Sequence, residues 1–327
     1  MPQYLNSSQV PLSLAVFLAS DSYDYDENVI SATTLLKPIR QIVLGSRIPQ
    51  EDQSVDLIQL LPSRIGSAIH DGIERSWTNN AQKALFNLGY PKKIIERIMI
   101  NPSQEEELPD WVIPIYLEQR AYRQVGKHCV SGKFDFVGEG FLEDFKTTSV
   151  YTYIHGSKDE DYIWQGSIYR WLNPKIITQD KMAIQFIFTD WSKVKAMADP
   201  KYPPQRTVRK TFNLKSINET ERFVQHKLNQ IDHYWNVPEP QLPHCTDAEL
   251  WRSDPVFKYY KNPEKTSRAT KNFDSRQEAY IRLAEDGGKG IVVERPGEVT
   301  ACKYCPGFSL CSQKDLLIER GELNLHP

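Results

Sequence analysis

The sequence predicts an α/β protein, a mixed β-sheet flanked by helices and followed by a smaller cysteine-rich extension. Three runs rich in β-branched and aromatic residues, about Ile113–Val125, Cys129–Val137 and Phe141–Thr147, follow one another and give way to alternating helical and strand patterns. Three of the five cysteines fall within ten residues near the end, and the composition shifts at Pro238 towards prolines, cysteines and charges. At 327 residues the chain exceeds the usual single-domain size yet suits one large core with an appendage, divided here as 1–237 and 238–327.

Ser31-Ala-Thr-Thr offers hydroxyl caps to a helix continuing through Leu35–Leu44, with Pro38 near its first turn. After an acidic, loop-like Gln50–Asp56, a second helix is expected from Ser63 to about Trp77. Ile65, Ala68, Ile69, Ile73 and Trp77 recur at helical spacing as its buried stripe, and His70 and Glu74 share one edge of that stripe. A polar break at Gln104–Glu107 precedes the three strands, with Gly138-Glu-Gly turning between the last two. A helix at Asp161–Leu172, strands at Met182–Thr189 and Arg206–Leu214, and a helix from Ile217 to about Trp235 complete the core. In the extension, Phe273–Ala284 reads as a helix capped by Asp274 or Ser275 and ended by Gly287-Gly-Lys-Gly.

The composition, 40% hydrophobic and 25% charged, is that of an ordinary globule with a sizeable core. A formal net charge of −2 excludes non-specific coating of nucleic acid, so polyanion contact has to be local. The densest basic run is Lys193–Lys215, which reads either as a solvated face or as a phosphate contact. The longest apolar run, Val10–Ala19, is neither a membrane span nor a convincing signal peptide. Together with an odd cysteine count, this makes the reducing cytoplasm the expected compartment.

The chemistry concentrates in Gly132-Lys-Phe-Asp135 and Glu143-Asp144-Phe-Lys146-Thr147. On a strand the period of two puts Asp144 and Lys146 on one face, and Asp135 lies across the turn on the neighbouring strand. Two carboxylates and an ammonium converging on one spot call for a cation, and Mg²⁺ or Mn²⁺ is held in this way by carboxylates, water and substrate phosphate. Phosphodiester hydrolysis needs an activated water and relief of phosphate charge, which a metal and a lysine supply. Taken alone, Asp144 and Lys146 also read as a surface ion pair, and His70 with Glu74 as a solvated helix edge. Gln165 and Tyr169, at i and i+4, place an amide towards the sheet that must find partners. Cys129 has no evident partner and reads as a small hydrophobe.

Gly132 and Asp135, Asp144 with Lys146 and Thr147, Gln165 with Tyr169, and His70 in Gly66-Ser-Ala-Ile-His-Asp-Gly-Ile-Glu stand in an order that resembles the PD-(D/E)XK nuclease superfamily, in its RecB-like branch. The resemblance covers roughly Ser31–Cys311 and implies a restriction-endonuclease-like core. It implies that His70, Asp135, Asp144 and the Phe145 carbonyl ligate Mg²⁺ or Mn²⁺, that Lys146 is catalytic, and that Gln165 and Tyr169 support the site. Glu118 resembles a glutamate on a preceding element in some relatives. The implied activity is hydrolysis of DNA, by an exonuclease acting on ends or single strands in recombination, repair or phage replication. A DNA-end-binding or structural subunit of a recombination or helicase–nuclease complex is the alternative; Asp135, Asp144 and Lys146 being intact argues against it. No P-loop motif occurs, so the chain is no motor of that kind.

Cys302-Lys-Tyr-Cys305 and Cys311 place three thiols on one tight loop, as a metal or cluster site requires. Cys245 is the chosen fourth ligand, with His244 as a substitute. Spacing alone leaves zinc and iron–sulfur open. The resemblance implies a structural [4Fe–4S] cluster and is closer to the phage exonuclease type than to the CRISPR-associated one, because no cysteine precedes the His70 helix. Toroidal or trimeric assembly among relatives makes a homo-oligomer a further expectation.

Overall fold

The computed structural model describes residues 3–20, 28–49, 54–103 and 107–325. Most of the loop expected at Gln50–Asp56 and the break expected at Gln104–Glu107 therefore lie outside the described residues; Ser54–Asp56 forms a short strand. The chain divides into two compact units, one of Met1–Leu36 with Gln50–Asn229, the other of Lys37–Pro49 with Gln230–Pro327.

The first unit is mixed α/β, with a curled sheet flanked by helices. Its small N-terminal part pairs β1 (Gln3–Leu5) in parallel with β3 (Ser54–Asp56) beside α1 (Leu12–Ala19). The main sheet runs in the order β4 (Ile98–Ile100), β5 (Ile113–Val125), β6 (His128–Gly138), β7 (Phe141–Thr148), β8 (Lys181–Phe188), β9 (Thr207–Asn213), with β2 (Val29–Ser31) also paired to β6. Pairings β5–β6, β6–β7 and β8–β9 are antiparallel, while β7–β8 is parallel. That parallel pair requires a crossover, made by α6 (Val150–His155) and α7 (Asp159–Leu172). Three acids, Asp159, Glu160 and Asp161, open α7, where the helix dipole favours negative charge. Glu139 and Gly140 turn β6 into β7 with φ of 50° and 79°, as a tight hairpin demands.

The helix expected over Leu35–Leu44 is broken. Ser31 caps only α2 (Ala32–Leu35), accepting from the Thr34 N–H, and Pro38 starts α3 (Ile39–Ser46) afresh. Proline has no donor to continue the first helix and biases the residue before it towards extended backbone. The second helix, α4, spans Leu61–Asn87, well beyond Ser63–Trp77, followed by the single turn α5 (Lys92–Ile95). Its expected stripe is not buried: Ile65 is 37% exposed, and Leu85 is the buried residue of the helix. The helix therefore covers the sheet loosely and leaves one flank facing a cleft. Helix α8 (Lys193–Ala198) and helix α9 (Ile217–Tyr234) follow the last crossover.

The second unit holds a three-stranded antiparallel sheet in the order β11 (Lys271–Phe273), β10 (Val256–Tyr260), β12 (Ile291–Arg295), covered by α10 (Arg276–Glu285) and followed by α11 (Ser312–Glu319). Ser275 caps α10. A second cluster of Leu250, Val299, Leu317 and Leu323 packs with Cys245, Cys302 and Phe308. No helix among the described residues is long and apolar enough to cross a membrane.

Candidate active site

The ladder between β6 and β7 pairs Gly138 with Phe141 and Phe136 with Glu143, then stops. Beyond that point the strands part at Asp135 and Asp144, and a side chain replaces the next ladder bond: the Phe145 N–H donates to Asp135 Oδ2 at 2.8 Å. The alternation predicted for β7 holds. Glu143 turns to Arg209 and Gln185, whereas Asp144 and Lys146 face a cleft of about 510 Å³. His70 of α4, Glu118 of β5, Asp135, Asp144, Lys146, Gln165 and Tyr169 all line it; Glu74 does not.

Asp144 is 1% exposed, and neither of its oxygens has a hydrogen-bond partner of sound geometry. Its countercharge is Lys146, whose Nζ lies 2.6 Å from Oδ2. Burial, reinforced by the Asp135 charge and only partly offset by Lys146, pushes the Asp144 carboxyl up to about 6. Burial works against the Lys146 ammonium, yet Asp144 and Asp135 outweigh it and hold its pKa above the ordinary lysine value. The Lys146 Nζ also lies 5.7 Å from the centre of the Tyr162 ring.

Three further donors converge on the same wall. His70 Nδ1 is 3.5 Å from Glu118 Oε1 and 3.5 Å from Asp135 Oδ1, and its Nε2 meets the Phe145 carbonyl at 3.0 Å. The His70, Glu118 and Asp135 ligand atoms lie within 4.8 Å of one another, as a metal site requires. Burial disfavours the imidazolium, but hydrogen bonds to Asp135 and Glu118 prevail and raise His70 to about 10. Glu118 reaches this position through an unusual backbone. The ladder pairs Leu117 with Phe136 and Gln119 with Phe134, leaving Glu118 opposite Asp135 with φ of +50°. A non-glycine residue there is strained, and such strain persists where the surroundings fix it. Asn101 does part of the fixing, since its Oδ1 accepts from the Leu117 N–H and from Gln119 Nε2. Lys133 Nζ holds the other Glu118 oxygen at 2.5 Å.

Gln165 Nε2 donates to the Tyr169 hydroxyl at 2.9 Å, and both are buried at the cleft. Gly132 admits α7 this close to β6, because a Cβ there would stand 2.8 Å from the Tyr169 and Leu172 side chains.

In the second unit, Cys245, Cys302, Cys305 and Cys311 influence one another electrostatically, and all four are free thiols. Burial raises Cys245 to about 12 and Cys302 to about 11, with the neighbouring thiolates adding to both. Arg40 of α3, 2% exposed, donates from Nε to Cys311 Sγ at 3.1 Å and from Nη1 to the Leu242 carbonyl at 3.1 Å. It also pairs with Glu239. Sequence reading passed over Arg40 because these partners lie about 200 to 270 positions along the chain. Cys129, in β6, stands apart from this set in the first unit.

No known protein family matches the sequence, and no curated protein matches it. Among solved structures, the chain is similar to the crystal structure of SSO0001, with 17% identity and a TM-score of 0.40 over 68% of this chain and 87% of that one. A phage related exonuclease from Haemophilus somnus 129PT is similar at 14% identity and a TM-score of 0.25 over 36% of this chain and 57% of that one. Neither assigns this chain to a family.

Proposed function

We propose that this chain is a metal-dependent deoxyribonuclease that hydrolyses phosphodiester bonds at DNA ends or in single strands. The observation that carries the reading is Asp144, a carboxylate 1% exposed at the back of a cleft, with Lys146 Nζ at 2.6 Å and a second carboxylate beside it. Such a charge destabilises the fold unless a cation compensates it. Asp144, Asp135 and Glu118 face Lys146, Lys133 and a protonated His70, so a divalent ion would take the place of the His70 proton beside Asp135 and Glu118.

Carboxylate oxygens with one imidazole suit Mg²⁺ or Mn²⁺. His70, Glu118, Asp135 and Asp144 would hold the ion with the Phe145 carbonyl, and Glu118 enters this set through the structure. The bound ion supplies Lewis-acid polarisation of the phosphate and neutralises charge in the transition state. Asp135 fixes the Phe145 main chain and with it the Phe145 carbonyl and the His70 ring. Lys146, kept protonated by two carboxylates, stabilises negative charge on the phosphate oxygens or orients the attacking water. The Gln165–Tyr169 pair keeps the cleft wall beside them in place.

In the second unit the four cysteines are the ligand set of a structural [4Fe–4S] cluster, with zinc as the other metal that four thiolates fit. The donor chemistry supports this: four free thiols close enough to influence one another become thiolates beside a metal cation, and Arg40 already donates to one of the sulfurs.

End-labelled single- and double-stranded DNA, linear and circular, incubated with Mn²⁺ tests the first reading. Cleavage by the wild type and its loss in folded Asp144→Ala and Lys146→Ala is the expected result. Equal cleavage by these variants would exclude the assignment, and cleavage of circles would replace exonuclease with endonuclease.

A further inference from the structure

Three of the seven cations in the basic run singled out by sequence, Lys193–Lys215, are neutralised within the fold. Arg209 pairs with Glu143 at 3.1 Å, Lys210 with Asp159 at 2.6 Å and Lys215 with Glu160 at 3.2 Å. A different concentration of positive charge stands at one end of the small sheet in the second unit. Strand β10 ends at Tyr260 and is followed by Lys261; β11 begins at Lys271, paired with Tyr259; β12 begins at Ile291, paired with Tyr260. Lys289 precedes β12 at the same edge, since a Cβ on the adjoining Gly290 would lie 2.5 Å from the Tyr260 carbonyl oxygen. The loop between β10 and β11 carries Lys265 and Arg268 out from that same end. Lys261, Lys265, Arg268, Lys271 and Lys289 are all exposed, and none forms an ion pair with a described residue. Glu264 is the one acid of the loop, and Asp286 nearby is taken up by Arg282 and the Tyr259 hydroxyl.

The loop is shaped rather than slack. The Lys261 N–H donates to Thr270 Oγ1 at 3.0 Å, the Thr270 N–H to the Tyr259 carbonyl at 2.8 Å, and the Glu264 N–H to Asn262 Oδ1 at 2.9 Å. Its base is thus pinned. Like charges gathered on neighbouring strands repel one another, a cost that a polyanion turns into binding energy through release of its counterions. In a chain with a net charge of −2, this is a local feature and not a by-product of overall basicity.

We infer that the end of the β10–β12 sheet, with the Lys261–Lys271 loop and Lys289, is a binding surface for the phosphate backbone of the nucleic acid on which the chain acts. This rests on the nuclease reading for the identity of the polyanion. The contacts read charge and not base sequence, because lysine and arginine on an exposed loop reach phosphates without a groove to enter.

The test is fluorescence anisotropy of labelled oligothymidylate without added Mg²⁺ or Mn²⁺ and without a chelator, so that cleavage is not supported while the cysteines keep any metal they hold, titrated with the full-length protein over about 50–200 mM salt. The variant Lys261→Gln/Lys265→Gln/Arg268→Gln is compared with Lys193→Gln/Lys195→Gln/Lys201→Gln, which removes equal charge from the other run. Each lost single-strand contact flattens the log–log salt slope by about 0.7, so the loop variant should lose about 2 in slope and about a hundredfold in affinity at 0.1 M salt. The control should stay near wild type, and circular dichroism confirms the fold of both. An unchanged slope in the loop variant, an equal loss in the control, or no binding by the wild type would overturn the inference. Cleavage assays on the same proteins separate the two claims: a wild type that cuts DNA while the loop variant binds normally refutes the surface alone. Loop-dependent binding without cleavage under any divalent metal refutes the nuclease reading alone.

Discussion

The cleft of the first unit and the cysteine cluster of the second both bury ionisable groups, but they manage the cost in opposite ways. In the cleft the groups are charged and crowded: Asp144 has no hydrogen bond of sound geometry, Glu118 sits on a strained backbone, and the wall of α4 is half open. At the cysteines, apolar packing by Leu250, Val299 and Leu317 surrounds thiols whose pKa is raised, and the buried arginine beside them is matched by Glu239 and a main-chain carbonyl. The first arrangement sacrifices stability for a site that a substrate can enter. The second behaves as part of a core, so a metal bound by these cysteines would act as a structural member. The difference predicts that the two regions respond differently to the same perturbations.

The largest effect expected is from removing the metal proposed at the four cysteines. Structural four-thiolate sites contribute about 10–16 kcal/mol of binding energy that appears as folding energy. Chelation, or Cys311→Ser, should therefore abolish hydrogen-exchange protection in peptides from 243–325 while peptides covering β5 to β7 retain theirs. Retained protection in both regions would break the comparison and leave the cysteines as ordinary core residues. Iron, sulfide and zinc assays on the purified protein identify the metal.

Next in size is Lys146→Ala, which removes the charge that the proposed nuclease reading sets against the transition state and should lower DNA cleavage by about 10²–10³-fold with little change in DNA binding. Asp144→Asn sharpens the contrast because it separates function from stability. The folded-state pKa of Asp144 is raised from 3.8 to about 6, so this group favours the fold below 3.8 and loses that contribution as pH rises through 6. At neutral pH the carboxylate is a burden. The metal-free Asn variant should be inactive yet more stable by roughly 1–2 kcal/mol, an advantage that shrinks as pH falls towards 4. A variant that is less stable at pH 7 would show that Asp144 is needed as the partner of Lys146.

His70 supplies a smaller, pH-dependent effect. Its folded-state pKa is raised from 6.5 to about 10, so its ion pairs stabilise the metal-free fold fully below 6.5 and are lost as pH rises through 10. A metal must displace that proton. Titration calorimetry in buffers of different ionisation enthalpy should register release of about one proton per Mn²⁺ at neutral pH, and His70→Gln should abolish it.

What the sequence discloses about these regions follows from how local the controlling interactions are. Strands β5 to β7 were legible because β-branched and aromatic runs mark them, and the period of two along β7 put Asp144 and Lys146 together before any coordinates. Glu118 was named through a family resemblance alone, because alternation along β5 says nothing of a backbone with φ of +50° held by the Asn101 side chain. Helix α4 was legible in type but not in length or burial, since from Thr78 onwards its apolar positions are alanines, Ala81 and Ala84, until Leu85. The small sheet of the second unit was missed altogether. Its strands are three to five residues long, too short for periodicity to register. Arg40 shows the same limit: a buried arginine is explained by partners that the chain brings back from hundreds of residues away.

The smallest effect concerns how the cleft wall is kept in register. Gly132 lies in β6 where α7 approaches, and a methyl group there would meet the Tyr169 ring and Leu172 at 2.8 Å, closer than carbon atoms tolerate. Overpacking of this kind costs about 1–3 kcal/mol, because the side chains leave their rotamers or the helix shifts outward. In Gly132→Ala the Tyr169 hydroxyl should move from Gln165, and the cleft wall next to Lys146 with it. Urea denaturation is therefore expected to show a loss of about 1–3 kcal/mol, and cleavage should fall by less than in Lys146→Ala. Tyr169→Phe, which removes the hydroxyl that Gln165 Nε2 donates to and adds no clash, should reproduce the loss of activity, which would tie that loss to the broken Gln165–Tyr169 pair. Full activity in Tyr169→Phe would show that the Gln165–Tyr169 pair has no part in holding the site.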